Sequence, residues 1–263
     1  MHSDCYFTTG SSHSICQDYA LARDSYIILS DGCSSSPHTD FGSRFLTHSL
    51  DQVFQSMRGD HKTAIDRATT MALMHARNLG LPDECIDATL LYVRVTRKFA
   101  HFGMCGDGTI AVRFKDGRID VITAEYESGA PYYPSYEMDQ DRKELYLNKF
   151  GRKRTESLIQ FAADGNVSFV GSTSDTESFA WPIDGIDTIL IMSDGILSFL
   201  KTVIDDVGKR KERMLLQDVV MPLMAFKLMK GKFVERRTRR FLKECQKNGI
   251  QHYDDVSVAG ISL

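Results

Sequence analysis

The sequence of 263 residues has only 6 prolines and one tryptophan, and its six cysteines (Cys5, Cys16, Cys33, Cys85, Cys105, Cys245) form no Cys-x-x-Cys pair. That dispersion argues against a zinc cluster and a compact disulfide framework, and makes reduced thiols the expectation. No apolar run approaches the ~18 to 20 residues of a spanning helix, and Met1 to Gly10 lacks the basic-then-apolar order of a secretory leader. A cytoplasmic protein with no membrane partner is therefore expected. Neither sign of charge dominates: Lys plus Arg is 32 and Asp plus Glu is 35, a net of −3, which gives no global pull toward nucleic acid or anionic lipid. No Pro/Gly/Ser-rich linker, low-complexity stretch or internal repeat divides the chain. One domain over 1–263 is expected, with 42% of residues in the hydrophobic set to fill its core.

What is present is a series of short apolar runs that stop at turn residues. Tyr26 to Ser30 is β-prone and ends at Asp31-Gly32, followed by small residues from Cys33 to Asp40, which predicts a strand feeding a loop. From Phe41 to about Leu79 apolar residues recur at helical spacing with a break at Gly59-Asp60, predicting two helices. Ala88 to Val95, Ala100 to Met104, Thr109 to Phe114 and, after the hairpin signal Asp116-Gly117, Ile119 to Thr123 read as an antiparallel meander. Ile186 to Ser193 and Val256 to Leu263 are further strands, with helical patterns between them at roughly Glu212 to Met229 and Val234 to Lys247. Residues 124–185 are less regular and carry five of the ten tyrosines. Strand runs separated by helix pairs point to an α+β fold, a layered sandwich of two mainly antiparallel sheets flanked by pairs of helices.

Several strands end or begin at a carboxylate: Ser30-Asp31-Gly32, Gly106-Asp107-Gly108, Ser193-Asp194-Gly195 and Asp254-Asp255. Any single Asp-Gly is more often a turn than a ligand, and Asp116-Gly117 is assigned to a turn. Asp31 and Asp194, however, follow apolar runs and so stand at the mouths of buried strands. If these ends share one edge, four or more carboxylates crowd together, a state tolerated only with raised pKa values or bound cations. Oxygen-only donors select hard ions such as Mg²⁺, Mn²⁺ or Ca²⁺ over zinc.

His13-Ser-Ile-Cys-Gln-Asp18, Leu29-Ser-Asp-Gly-Cys-Ser34, Cys105-Gly-Asp-Gly108, Met192-Ser-Asp-Gly195 and Asp254-Asp-Val-Ser-Val258 resemble, in order, the successive motifs of the 2C-type metal-dependent protein phosphatases. The likeness is strongest to the small bacterial branch, where a Cys-Gln-Asp motif precedes the Asp-Gly loop and Phe41-Gly-Ser-Arg-Phe45 opens the next helix. The resemblance implies a phosphoprotein (Ser/Thr) phosphatase that uses two or three Mn²⁺ or Mg²⁺ ions to drive hydroxide attack on a phosphate monoester. By similarity, Asp31 would bridge two ions, the Gly32 carbonyl would complete one, and Asp194 and Asp254 would hold the other. Asp107 would share a third ion with Asp194, and Asp18 would orient the attacking water. In the motif at 254–258 the resemblance makes Asp254 the ligand and Asp255 its companion, where asparagine also serves and the charge would be dispensable.

Two positions depart from the family pattern. His13 stands where most members have the arginine that holds the substrate phosphate, and is expected to donate hydrogen bonds to it with weaker capture; Cys33 stands where a histidine general acid is often found, and His38 in the same loop is a candidate replacement. Cys33 is not read as a nucleophile, because a Cys-x5-Arg cradle would need arginine at Thr39. These departures motivate a second reading, an idle member of the fold that binds phosphoproteins; a hydrolase of small phosphoesters is a third. Residues 201–247 carry fourteen Lys or Arg against six Asp or Glu. That basic stretch reads as a solvated helix face or as a docking surface for an acidic or phosphorylated partner, with no module that calls for nucleic acid.

Overall fold

The computed structural model describes residues 1–56, 60–151, 153–162, 166–173, 178–205 and 208–263. Gly59, half of the expected Gly59-Asp60 break, lies outside them. A five-stranded sheet runs in the order β10 (Ser178–Pro182), β5 (Phe99–Cys105), β4 (Leu90–Val95), β3 (Tyr26–Ser30), β2 (Tyr19–Arg23). A seven-stranded sheet runs β1 (His2–Thr8), β15 (Val256–Ser262), β11 (Ile186–Met192), β6 (Gly108–Phe114), β7 (Ile119–Tyr126), β8 (Arg154–Phe161), β9 (Val167–Thr173). The pairings in both are antiparallel.

The two sheets stack face to face, and strand alternation explains how. Ile27 and Leu29 of β3, with Phe102 and Met104 of β5, point inward against Ile110, Ile189, Ile191 and Ile261 of the other sheet. Ile28, between Ile27 and Leu29, points outward to Leu46, Leu50 and Phe54 of α1 (Thr39–Ser56) and to Ala64 and Ala68 of α2 (His61–Asn78). Asp60 caps α2, its carboxylate accepting the Thr63 N–H at 2.9 Å. On the far side Leu190, Met192 and Val258 lie under α4 (Leu216–Met224) and α5 (Phe233–Lys247). In α5 the buried residues Phe233, Val234, Thr238, Phe241 and Cys245 trace one stripe, so its arginines face outward. The expected α+β sandwich is what the chain forms. Truncating a side chain in either outer layer, such as Leu190→Ala, should cost about 2 to 5 kcal/mol.

Three local expectations are corrected. The helix expected from Glu212 begins only at Leu216, because Phe199–Asp205 (β12) and Gly208–Arg213 (β13) pair as a hairpin, which with β14 (Gln251–His252) forms a small third sheet. The expected meander is also split: β4 pairs with β5 and β6 with β7, but Gly106-Asp107 carries the chain from one sheet to the other. Gly106, at φ 91°, takes a backbone conformation open to glycine. Finally, the irregular segment holds β8, β9, β10 and α3 (Gln140–Phe150).

Candidate metal centre

The strand registers bring the acidic residues together. Met192 at the end of β11 faces Val258 of β15 on one side and Thr109 of β6 on the other. Asp194 just after β11, Asp254 just before β15 and Asp107 just before β6 therefore share one sheet edge. Asp31 arrives from the opposite sheet at the end of β3. Its N–H donates to Thr89 Oγ1 at 3.0 Å and its carbonyl accepts the Thr89 N–H at 2.8 Å. Asp31, Gly32, Asp107, Asp194 and Asp254 line one cavity of about 340 Å³. At Gly195 a Cβ would collide with the Asp255 carbonyl, so glycine there lets the two acidic segments meet.

Asp18 is fully buried beside this group, with the hydroxyls of Ser193 and Ser257 and the Asp31 carboxylate as its neighbours. Burial pushes its carboxyl up to about 7. Asp31 is raised well above the usual carboxylate range, by burial first and then by the charges of Asp18 and Asp194. Burial, then Asp194, raises Asp107 to about 8, and the same two causes in the same order raise Asp254. Among the described residues no three His, Cys, Asp or Glu side chains are gathered closely enough to hold a metal ion as they stand; the carboxylates line a cavity instead. Mutually repelling oxygens with unmet acceptor capacity fit hard divalent ions.

His13 is not among the residues lining the cavity. Its Nδ1 lies 3.6 Å from Asp254 Oδ1 and 3.2 Å from Asp255 Oδ2. Asp255 points away from the cleft and is buried; Oδ1 accepts the Gly10 N–H at 2.7 Å and Oδ2 the Gln17 N–H at 2.6 Å. The expectation that this charge is dispensable does not fit that geometry, because an asparagine offers one acceptor where two backbone donors arrive. His38 is exposed, outside the cleft, with φ 58° at the turn into α1, where its carbonyl accepts the Phe41 N–H at 3.0 Å. It does not take the place of a cleft histidine. Cys33 does line the cleft. Burial pushes its thiol up, but hydrogen bonds with Ser35 and Tyr133 outweigh burial and hold it below the usual value.

Sequence reasoning missed the other wall. Residues 127–151, between β7 and β8, fold over the Asp-Gly loop, and Gly129, Pro131, Tyr133, Tyr136, Tyr146 and Phe150 line the cavity from that side. Tyr132, Tyr136 and Tyr146 pack edge to face or tilted at 4.9 to 5.4 Å between ring centroids. Buried Asp87 ties this excursion down, taking both oxygens to Arg142 and one each to Ser135 and Ser36. The five tyrosines at 126–146 were the one available signal.

The family model for protein phosphatase 2C matches residues 9–226. No curated protein sequence matches the chain. Among solved structures, the serine/threonine phosphatase Stp1 from Staphylococcus aureus superposes with a TM-score of 0.56 at 14% identity, covering 100% of this chain and 95% of that one. The Mycobacterium tuberculosis serine/threonine phosphatase PstP/Ppp does so with a TM-score of 0.55 at 15% identity, over 99% and 97%. The catalytic domain of PstP in complex with two manganese ions gives 0.53 at 16%, over 98% and 96%.

Proposed function

This chain belongs to the protein phosphatase 2C family and is a metal-dependent serine/threonine phosphatase; from that premise we propose that Asp31, the Gly32 carbonyl, Asp194 and Asp254 hold two Mn²⁺ or Mg²⁺ ions, with Asp107 and Asp194 sharing a third. The observation that carries this assignment is the meeting of four carboxylates from four strand ends on both sheets in a single cavity. When bound, the ions supply positive charge to the phosphoryl oxygens and acidify the attacking water toward a pKa of ~7.

The chain's own residues position and relay. Asp18, buried behind Asp31 and beside the Ser193 and Ser257 hydroxyls, accepts a hydrogen bond from the attacking water and so orients it. His13, turned toward Asp254 and Asp255, positions Asp254 rather than gripping the phosphate. Thr89, Ser34 and Ser35 line the cavity as hydroxyl donors, and Tyr133 closes the site from the excursion above. Pairing of β1 with β15 joins the chain's two ends in one sheet and supports a single domain over 1–263. Among the described residues the cysteines form no disulfide with one another, which supports a reducing, cytoplasmic setting, and no described helix is long and apolar enough to cross a membrane.

The direct test is phosphate release from an aryl phosphate and a phosphothreonine peptide with and without Mn²⁺. Hydrolysis should require added Mn²⁺ or Mg²⁺ and vanish in EDTA. Activity that survives thorough chelation would overturn the assignment.

A further inference from the structure

The basic stretch is divided by the fold. Lys201 and Arg210 to Arg213 lie on the β12–β13 hairpin, while the turn at 225–228 and the outer face of α5 enclose a separate groove of about 580 Å³. Six cations line it (Lys227, Arg236, Arg237, Arg239, Arg240, Lys243), with no carboxylate among the lining residues, and Phe226 stands beside Leu228, which is 61% exposed. Among the described residues two of the six are neutralised: Arg239 pairs with Glu235 and Arg240 with Glu244, both at 2.9 Å. Arg236 donates to the carbonyls of Leu228 and Lys230, and Arg237 to that of Pro222. Those bonds fix the guanidinium groups without cancelling their charge. Lys227 and Lys243 make no ion pair among the described residues.

The groove has a measurable offset from the cleft. The Glu235 N–H at the start of α5 donates to Asp4 Oδ2 at 2.9 Å, and Asp4 pairs with Gly260 across β1 and β15. Gly260 lies six residues beyond Asp254, so at ~3.3 Å per strand residue the far, N-terminal end of the basic face lies about 20 Å from the cleft, and Arg239, over the ring of Tyr6 whose strand partner is Val258, lies nearer.

We propose that this groove docks an acidic linear segment of the phosphoprotein substrate, separated from the phosphorylated residue by about six or more extended residues and carrying one apolar side chain that packs on Phe226 and Leu228. The proposal rests on the phosphatase reading above. A peptide fits better than nucleic acid, because the groove offers one half-buried ring, Phe226, set edge-on to buried Phe233 beside aliphatic Leu228, rather than a row of exposed rings on which successive bases could stack.

The test uses the full chain and phosphothreonine peptides that carry a Glu block with one Leu, set about two or about eight residues from the phosphothreonine. The longer spacer should lower KM about tenfold relative to a peptide without the block, with kcat unchanged, and the shorter spacer should not. Raising salt from about 50 to about 500 mM should erase the difference. Lys227→Glu with Lys243→Glu should also erase it at an unaltered melting temperature. An advantage independent of spacer, or one that survives the charge reversal, overturns the proposal. Direct binding of the unphosphorylated acidic peptide, read by fluorescence anisotropy, separates the two readings. Binding without any Mn²⁺-dependent hydrolysis of an aryl phosphate would mean that the phosphatase assignment had failed and the groove had not. Displacement of that peptide by a single-stranded oligonucleotide at lower concentration than by the peptide itself would overturn the choice of partner.

Discussion

Arg142 closes on Asp87 with one guanidinium nitrogen 2.8 and 2.7 Å from the two carboxylate oxygens, a contact between residues 55 apart in sequence. Asp87 stands beside the Asp-Gly loop, where its carbonyl accepts the Cys33 N–H at 2.8 Å, so this pair fastens the tyrosine-rich wall to the segment that carries Asp31.

Asp87→Ala leaves the partly buried guanidinium and the Ser36 and Ser135 hydroxyls without their acceptor, and should cost about 3 kcal/mol of stability. The wall should loosen before the sandwich does. Trypsin should then cleave at Lys143 and Lys149 in the variant under conditions that spare the wild type, while KM rises more than kcat falls. Equal proteolysis of the two proteins would show that Arg142 is not what holds the wall.

The acidic cleft was legible in the sequence for a physical reason that does not extend to this wall. Apolar runs such as Ile27-Ile28-Leu29 and Ile189 to Met192 mark buried strands, and a carboxylate at their ends has a fixed place once sheet edges align. Arg142 and Asp87 carry no comparable local signal, since neither sits in a periodic pattern. The β12–β13 hairpin was hidden for the opposite reason: Lys209-Arg210-Lys211-Glu212-Arg213 has no apolar alternation, and its strand is set by backbone pairing. The Cys105 to Gly108 crossing reads as a hairpin in one dimension, because Asp-Gly reports a turn but not which sheet the chain enters next.

The raised carboxyls make the metal-free protein pH-sensitive. A carboxyl whose folded value is raised binds its proton more tightly folded than unfolded, so it favours the folded state fully below the unfolded value near ~4. That contribution is lost as pH rises through about 7 for Asp18 and about 8 for Asp107. Without metal, melting temperature should fall between pH ~4 and ~8, and Mn²⁺ should restore more stability at the upper end. Mn²⁺ binding at neutral pH should release protons, seen as a calorimetric heat that changes between buffers of different ionisation enthalpy. A heat independent of buffer would contradict the cluster's raised values.

Asp31→Asn and Asp194→Asn should each cut turnover by about a hundredfold or more. The same changes relieve repulsion, since Asp31 is raised by the charges of Asp18 and Asp194. The metal-free variants should therefore melt at or above the wild-type temperature at neutral pH. Wild-type turnover in either variant would refute the site, and a large loss of stability would show that these carboxylates hold the fold rather than ions.

The adjacent pair Asp254-Asp255 separates the two roles most sharply. Successive side chains along an extended segment point to opposite sides, and here Asp254 lines the cavity while Asp255 is buried behind it. Asp254→Asn removes a charge from a half-exposed group, so stability should change by less than about 1 kcal/mol while Mn²⁺ affinity falls at least about tenfold. Asp255→Asn keeps one carbonyl oxygen for either Gly10 or Gln17 and turns an amide N–H₂ toward the other donor. One backbone N–H then loses its acceptor inside the protein, at a cost of about 2 to 3 kcal/mol. Its effect on activity should follow from looser docking of residues 10–17, which carry His13 and lead into Asp18. Thermal melts and calorimetric Mn²⁺ titrations on both variants decide the matter: Asp254→Asn should lose ions and keep its fold, Asp255→Asn should lose stability first, and the reverse ranking would exchange the two assignments.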